Sequence, residues 1–380
     1  MTDASKPSQP TSSAPVNEEP PSTLSELIAA ADFDLRWFDL GRRVQPIGRK
    51  VAQDFERGTA PWPHPYLRQA WCGLLLWPKG KSAADGKGET TEPVVWFLRL
   101  PLDEQGKLLL SVRDRFLEQL QQALFSPSPD EPCANGIPTA PAKSLQQALD
   151  DSGLMFAPAA DKRAVFHAKS ARFLNRDASD HYAAARAYAK DPASFPWEQL
   201  ALQGIADLAV RWEEEKPQLL KTLPRFATPA LISLCQCLES EAIDHQIAEP
   251  LIRRAQQSLA SETPDFNLIT AVVRGLSHSV AAGMRQQFLL QLLLSEAGAH
   301  GEVLAAIGSR CSEDLQQPEV ASAWLEKLSA SQPQQTFNLL LTDLLFLPQL
   351  RNVLLGVLRN PERPESVARA FGAFLQPTGK

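Results

Sequence analysis

The chain has 380 residues, 44% hydrophobic and 22% charged, with a formal net charge of −6. That length exceeds what one hydrophobic core organises and predicts two domains, while the ordinary apolar fraction excludes a wholly disordered chain. The acidic balance argues against broad electrostatic capture of nucleic acid or anionic lipid.

Residues 1–22 carry five prolines among Ser, Thr, Asp and Glu. Such a mix buries too little surface to offset its ordering entropy, so a disordered tail is expected. The opening MTDASKPSQP has one lysine and no apolar run, which predicts no secretory signal. A small α+β domain is expected over 23–125. In it TLSELIAAA reads as a helix, DLRWFDLG as a strand, and the stretch 46–56 as a second helix. AWCGLLLW (70–77) and VVWFLRLP (94–101) read as antiparallel strands joined by a long loop rich in Lys, Gly and Thr. In the first of these Trp71, Leu75 and Trp77 face one way and Cys72, Leu74 and Leu76 the other, so both faces of the sheet need cover. The second runs into Asp103-Glu104-Gln105-Gly106, the composition of a type I turn, and then into the helix KLLLSVRDRFLEQLQQAL.

A further stretch with five prolines, SPSPDEPCANGIPTAPAKS, makes 126–143 a linker, and 144–376 is expected to be all-helical. Pro196, Pro217, Pro229, Pro250, Pro264, Pro318, Pro333, Pro348 and Pro361 each precede or open an apolar-periodic run such as WEQLALQGIADLAVRW or ALISLCQCLE. Proline suits the first helical position, where its missing N–H would be unpaired anyway, so these mark helix starts, with at least ten helices beyond 144 and no sheet. Their spacing suggests helix pairs of roughly 30 to 40 residues, as in a HEAT-like solenoid, with an irregular bundle as the alternative. The longest apolar stretch, 337–358, is broken by Asp343, Pro348, Arg351 and Asn352 and reads as two short buried helices, not a membrane span.

DLGRR (39–43), WFLRLPLDEQG (96–106), RDRF (113–116), LQGIADL (202–208) and LCQCLE (234–239) together resemble a bacterial protein family known only as a domain of unknown function. The resemblance covers most of the chain from about Thr23. It implies an intracellular bacterial protein and carries over no catalytic residue.

Five places could hold chemistry. Asp103 and Glu104, joined by Asp39, could ligate a metal or act as an acid and base, although a turn role for Asp103 weighs more. Arg42, Arg43, Arg49 and Lys50 could attract phosphate, although a solvated face weighs more. Glu104 is grouped with Arg42 and Arg43 as a candidate polar cluster. Cys235 and Cys237 lie two apart and diverge on a helix, which disfavours a zinc site. The five cysteines, with Cys72, Cys133 and Cys311, show no metal spacing and read as reduced thiols of a cytoplasmic protein. Arg113 falls amid the apolar positions Leu109, Val112, Phe116, Leu117, Leu120 and Leu124 of its helix, so its guanidinium needs an acceptor; a structural ion pair with Asp103 or Asp39 is expected.

The sequence therefore favours an intracellular adaptor that binds a protein partner through a helical-repeat surface, with no cofactor, metal or membrane partner. The alternatives are a metal-assisted phosphoester enzyme using Asp39, Asp103 and Glu104, and, more weakly, nucleic-acid binding through Arg42 and Arg43.

Overall fold

The computed structural model describes residues 21–80, 92–125 and 143–376. The expected tail, most of the strand-joining loop and the Pro-rich linker with Cys133 lie outside those residues. Among the described residues the chain forms one four-stranded antiparallel sheet near its start, followed by helices to its end.

Helix α1 (Leu24–Ala30) starts at Thr23, whose hydroxyl accepts the Glu26 N–H. It turns through Asp32 into β1 (Phe33–Asp39). After a corner come the two-residue β2 (Gln45–Pro46) and α2 (Arg49–Glu56). Strands β3 (Gln69–Pro78) and β4 (Val94–Pro101) follow, then α3 (Leu110–Phe125). The strand order is β2-β1-β3-β4, and Cys72 pairs with both Asp39 and Leu98. The far edge of β4 is partly covered: Arg99 N–H donates to Leu154 O and Phe156 N–H to Phe97 O.

Both faces of the sheet are buried, by different partners. Trp37, Cys72, Leu74, Leu76, Trp96 and Leu98 pack with α1, α2, α3 and α4 (Lys143–Asp151). On the other face Phe38, Leu40 and Leu75 join the core of the long helical region through Phe166 of α5 (Ala160–Phe173). Gly73 makes this approach possible: a Cβ there would stand 2.6 Å from both Leu40 Cδ1 and Phe166 Cε2.

The helices continue as α6 (Tyr182–Lys190), α7 (Leu202–Val210), α8 (Trp212–Thr222), α9 (Thr228–Leu238), α10 (His245–Leu259), α11 (Phe266–Leu276) and α12 (Ala282–Leu294). Then come α13 (Gly301–Arg310), α14 (Pro318–Ser331), α15 (Gln334–Leu345), α16 (Pro348–Arg359) and α17 (Glu365–Leu375). Each packs on the helix two further along. α5, α7, α9, α11, α13 and α15 touch in succession, as do α6, α8, α10, α12, α14 and α16.

Several helix starts sit where proline predicts them. Pro318 and Pro348 open α14 and α16, Pro229 is the second residue of α9, and Pro333 precedes α15. Pro217 and Pro250 do not mark starts; they lie inside α8 and α10, where each forfeits one intrahelical bond. Their helices begin earlier because α8 follows α7 after the single residue Arg211, and because Asp244 caps α10 by accepting from Gln246 and Ile247. For the same reason WEQLALQGIADLAVRW is not one helix: it holds a short 3-10 turn, α7 and the first residue of α8. The 337–358 stretch forms parts of α15 and α16, and among the described residues no helix is long and apolar enough to cross a membrane.

Candidate functional site

The densest polar cluster forms where β1 ends. Leu40 N–H still donates to Trp71 O (2.7 Å), and the chain then turns through Gly41, Arg42, Arg43 and Val44 before β2. A sharp corner with two arginines at a sheet end would ordinarily face water. Here it is pressed against the ends of the α5, α9, α11, α13, α15 layer. Arg42 and Arg43 are only 5% and 6% exposed.

Burial of a guanidinium requires that its donors be met. Arg42 donates through Nε to Pro65 O (3.0 Å), through Nη1 to Ser309 O at the end of α13 (3.0 Å), and through Nη2 to Asp343 Oδ2 of α15 (2.8 Å). Asp343 spends its other oxygen on the Leu67 N–H (2.7 Å). Leu67 and Arg68 both have positive φ, 50° and 60°, so the acceptor holds a backbone that side chains ordinarily avoid. Arg43 reaches Arg310 O (3.4 Å) and Glu313 (3.8 Å), and Val44 N–H donates to Ser240 Oγ (2.9 Å). The Tyr66 ring lies 5.5 Å from the Arg42 guanidinium and 5.6 Å from that of Arg310.

A second tier completes the balance. Lys162, in the first turn of α5, donates to Leu40 O (2.6 Å) and to Gly41 O. Glu239, just past α9, pairs with Arg274 Nε (2.5 Å) and Arg310 Nε (3.1 Å), and Arg274 also pairs with Asp161 (2.6 Å). Asp39 accepts from Trp62 Nε1 (3.1 Å) and Gly41 N–H (3.3 Å), while its Oδ2 is buried with no partner among the described residues. Burial raises the Asp39 pKa and lowers that of Lys162, against their mutual attraction. His64 is held down to about 4, first by burial and then by Arg43 and Arg42. A cavity of about 480 Å³ opens beside Asp161, Lys162, Arg274 and Arg310. The cations facing it are already bonded to acids or carbonyls of the chain, so the arrangement clamps the corner to the helices.

The residues singled out by sequence distribute differently from expectation. Arg42 and Arg43 do come together, but as buried donors whose bonds go to the chain itself, which corrects the solvated-face reading. Of the same basic run Arg49 and Lys50 do face solvent, Lys50 pairing with Asp54. Glu104 is not in the cluster; it is exposed on the turn after β4, and Asp343 and Glu313 take the place assigned to it.

Asp103 accepts from the Gln105 N–H (2.8 Å) and Lys107 N–H (2.9 Å) through one oxygen, and Gly106 N–H returns to Asp103 O (3.1 Å) at a φ of 78°. That is a self-contained turn. The Arg113 ion pair with Asp103 or Asp39 does not form. Arg113 donates to Glu56 O at the end of α2 (2.6 Å) and pairs with the adjacent Asp114 (2.6 Å). A free helix-end carbonyl is a better-placed acceptor than a carboxylate already committed to its own turn. Cys235 and Cys237 are both buried on α9, where burial pushes the Cys235 thiol up to about 12 and Cys237 higher. Among the described residues no three His, Cys, Asp or Glu side chains are arranged to hold a metal ion.

Lys162, Glu239, Arg274, Arg310 and Asp343 escaped the sequence reading. Asp343 alone left a trace, as the one carboxylate in the apolar run FNLLLTDLLF. A charge in such a run needs a partner, but nothing local says that the partner lies some three hundred positions earlier.

A family model described as protein of unknown function (DUF3549) matches residues 21–375, and the chain belongs to that family. No curated protein and no solved structure matches it.

Proposed function

We propose that this family member is an intracellular adaptor: a helical-repeat array, α5 to α17, that binds a protein partner, with the small sheet unit held against one layer of the array. The observation that carries the proposal is the alternation of neighbours, in which every helix from α5 packs on the helix two further along. Such stacking makes extended, quasi-one-dimensional surfaces, which repeat proteins use for recognition. The starts of α9, α11, α13, α15 and α17, at 228, 266, 301, 334 and 365, recur at intervals of roughly 30 to 40 residues.

The corner at 39–44 occupies the ends of the odd-numbered layer, so the partner surface falls to the even-numbered one. There α10 and α12 leave a groove of about 290 Å³ between Glu249, Ile252, Arg253, Gln256, Met284 and Phe288. The four described cysteines are free thiols, as suits a reducing compartment.

The test is photo-crosslinking in the native cell with a reactive residue at Gln256 or Gln287, read by mass spectrometry. One stoichiometric protein partner crosslinked from these positions, and not from Glu104, is the expected result. Crosslinks of equal yield from all three positions, or none, would sink the proposal.

A further inference from the structure

The outer edge of β1 is paired over only part of its length. Strand β2 accompanies β1 for only two residues, Phe38 opposite Pro46 and Asp39 opposite Gln45, and the chain then leaves through Gly48 into α2. From Phe33 to Leu35 the outer side of β1 has no ladder partner among the described residues. The phase of the ladder says which groups are left over. Lys79 N–H donates to Asp32 O (3.0 Å) and Leu40 N–H to Trp71 O (2.7 Å), so the even-numbered residues of β1 bond to β3. The N–H and C=O of Phe33 and Leu35 therefore point outward, and the C=O of Trp37, which does so too, is met by the Ile47 N–H (2.8 Å).

These groups open into a groove of about 380 Å³ between α1, α2 and the end of α5. One wall is apolar, with Ala29, Ile47, Ala52 and Trp37; the other holds Arg36, Trp77 and Phe173. Trp37 is 4% exposed and its indole N–H has no acceptor. The groove is locally basic in an acidic protein: Arg57 is paired with Glu26 (3.3 Å) and Lys79 Nζ donates to Ala29 O, which leaves Arg36 and Arg49 against Asp34.

We propose that this edge binds an extended acidic segment of a partner protein by strand addition, continuing antiparallel to β1 where β2 stops. Main-chain bonds to Phe33 and Leu35 supply affinity, and side chains alternate between the apolar wall and Arg36. Two other occupants fit less well. A second copy joined edge to edge would set Arg36, Arg49 and Lys79 near their own counterparts. The chain's own start is broken by Pro7, Pro10, Pro15, Pro20 and Pro21 into runs of at most six residues with consecutive donors. The surface is separate from the α10–α12 groove, so its failure would leave the helical-repeat proposal standing.

The probe is a fluorescein-labelled peptide of alternating valine and glutamate, titrated by fluorescence polarisation onto the full chain, with a valine–lysine peptide as control. Saturable binding of the acidic peptide alone is expected, weakened at least about tenfold when amides of one alternate set are N-methylated and little changed when the other set is. Leu35→Pro removes an outward donor together with a half-buried side chain packed on the sheet core, so it should weaken binding similarly at some cost in melting temperature. Arg36→Glu with Arg49→Glu is the second variant should Leu35→Pro not fold. Amide exchange at Phe33 and Leu35 should be fast in the free chain and slow with peptide. No binding up to about 1 mM, or equal binding of both methylated forms, would overturn the proposal. Slow exchange in the free chain would overturn it as well: independent of protein concentration it assigns the edge to the chain's own start, and dependent on concentration it assigns it to a second copy.

Discussion

Two strand ends in this molecule begin alike. β1 ends in Asp39-Leu40-Gly41 and β4 runs into Asp103-Glu104-Gln105-Gly106, and in each the aspartate accepts the N–H two residues on, from Gly41 at 3.3 Å and from Gln105 at 2.8 Å. They then diverge. The Asp103 carboxylate is satisfied within five residues and stays part-exposed, where water can replace the bonds it loses, while behind it the buried Gly106 accepts the Trp62 N–H through its carbonyl (2.8 Å). The Asp39 corner is buried, and most of its polar groups are met by side chains and carbonyls from three helices, α5, α13 and α15, and from the chain just past α9 and α13. The same local geometry thus serves as a simple reversal in one place and as the joint between sheet and helices in the other. What separates them is whether something packs over the turn.

The largest effect that tests this contrast comes from Asp343→Ala. It strands the Arg42 guanidinium in a site 5% exposed and removes the acceptor that holds Leu67. A loss of about 3–5 kcal/mol in urea unfolding is expected, and Arg42→Met combined with Asp343→Leu should recover much of it, because removing both charges spares the cost of an orphan. A loss under about 1 kcal/mol, the range of a surface ion pair, would mean that the joint is solvated and the two turns are equivalent.

The apolar side of the same joint is probed by Gly73→Ala. Its new methyl would meet Leu40, beside the corner, and the Phe166 ring on α5. Phe166 is fully buried and cannot swing away, so a loss of about 1–3 kcal/mol is expected in thermal or urea unfolding. A neutral result would show that α5 stands further from the sheet than the shared core requires.

How much of this was legible beforehand follows from the range of the interactions. β4 runs over the predicted residues because its apolar, β-branched pattern is local, and the DEQG turn because Asp and Gly act on their own backbone. The helix starts at Pro318 and Pro348 were legible for the same reason. Pro217 and Pro250 misled because a capping aspartate or a preceding helix moved the start upstream. Of the joint only Asp343 left a trace, as a lone carboxylate in an apolar run. Arg42 is a charge of ordinary appearance, and only the packing of α13 and α15 over the corner brings the two to 2.8 Å.

Glu56 sharpens the comparison from another side, being a buried carboxylate with no cation. Its partners are the Ser25 N–H (2.9 Å) and the Ser25 hydroxyl, and burial pushes its pKa up to about 7. Because the folded value lies above the unfolded one near 4.5, the folded chain holds an extra proton between these pH values. The Glu56 contribution to stability is therefore fully present below about pH 4.5 and is lost as pH rises to about 7. Glu56→Gln keeps the acceptor and cannot ionise, so it should be more stable than the parent by about 1–3 kcal/mol at pH 8 and show a flatter stability profile across that window. A parent profile already flat between pH 5 and 7 would mean that Glu56 finds water or a counter-charge.

The smallest effect belongs to Asp103→Ala. The substitution removes one oxygen that serves two N–H groups, those of Gln105 and Lys107, at a place open to solvent. Water takes up those donors, the Gly106 N–H keeps its bond to the Asp103 carbonyl, and nothing beyond the turn leans on the side chain. A loss of about 0.5–1.5 kcal/mol is expected, the net worth of exposed hydrogen bonds, with sheet and helices unchanged by circular dichroism. The same variant tests the metal-assisted alternative. If Asp103 were a ligand, magnesium or manganese would raise the parent's melting temperature and leave that of Asp103→Ala unmoved. With the carboxylate committed to its own backbone and Glu104 directed to solvent, parent and variant should instead respond to either ion alike. A metal-dependent rise confined to the parent would undo the contrast between the two turns, because the exposed one would then be the functional end of the sheet.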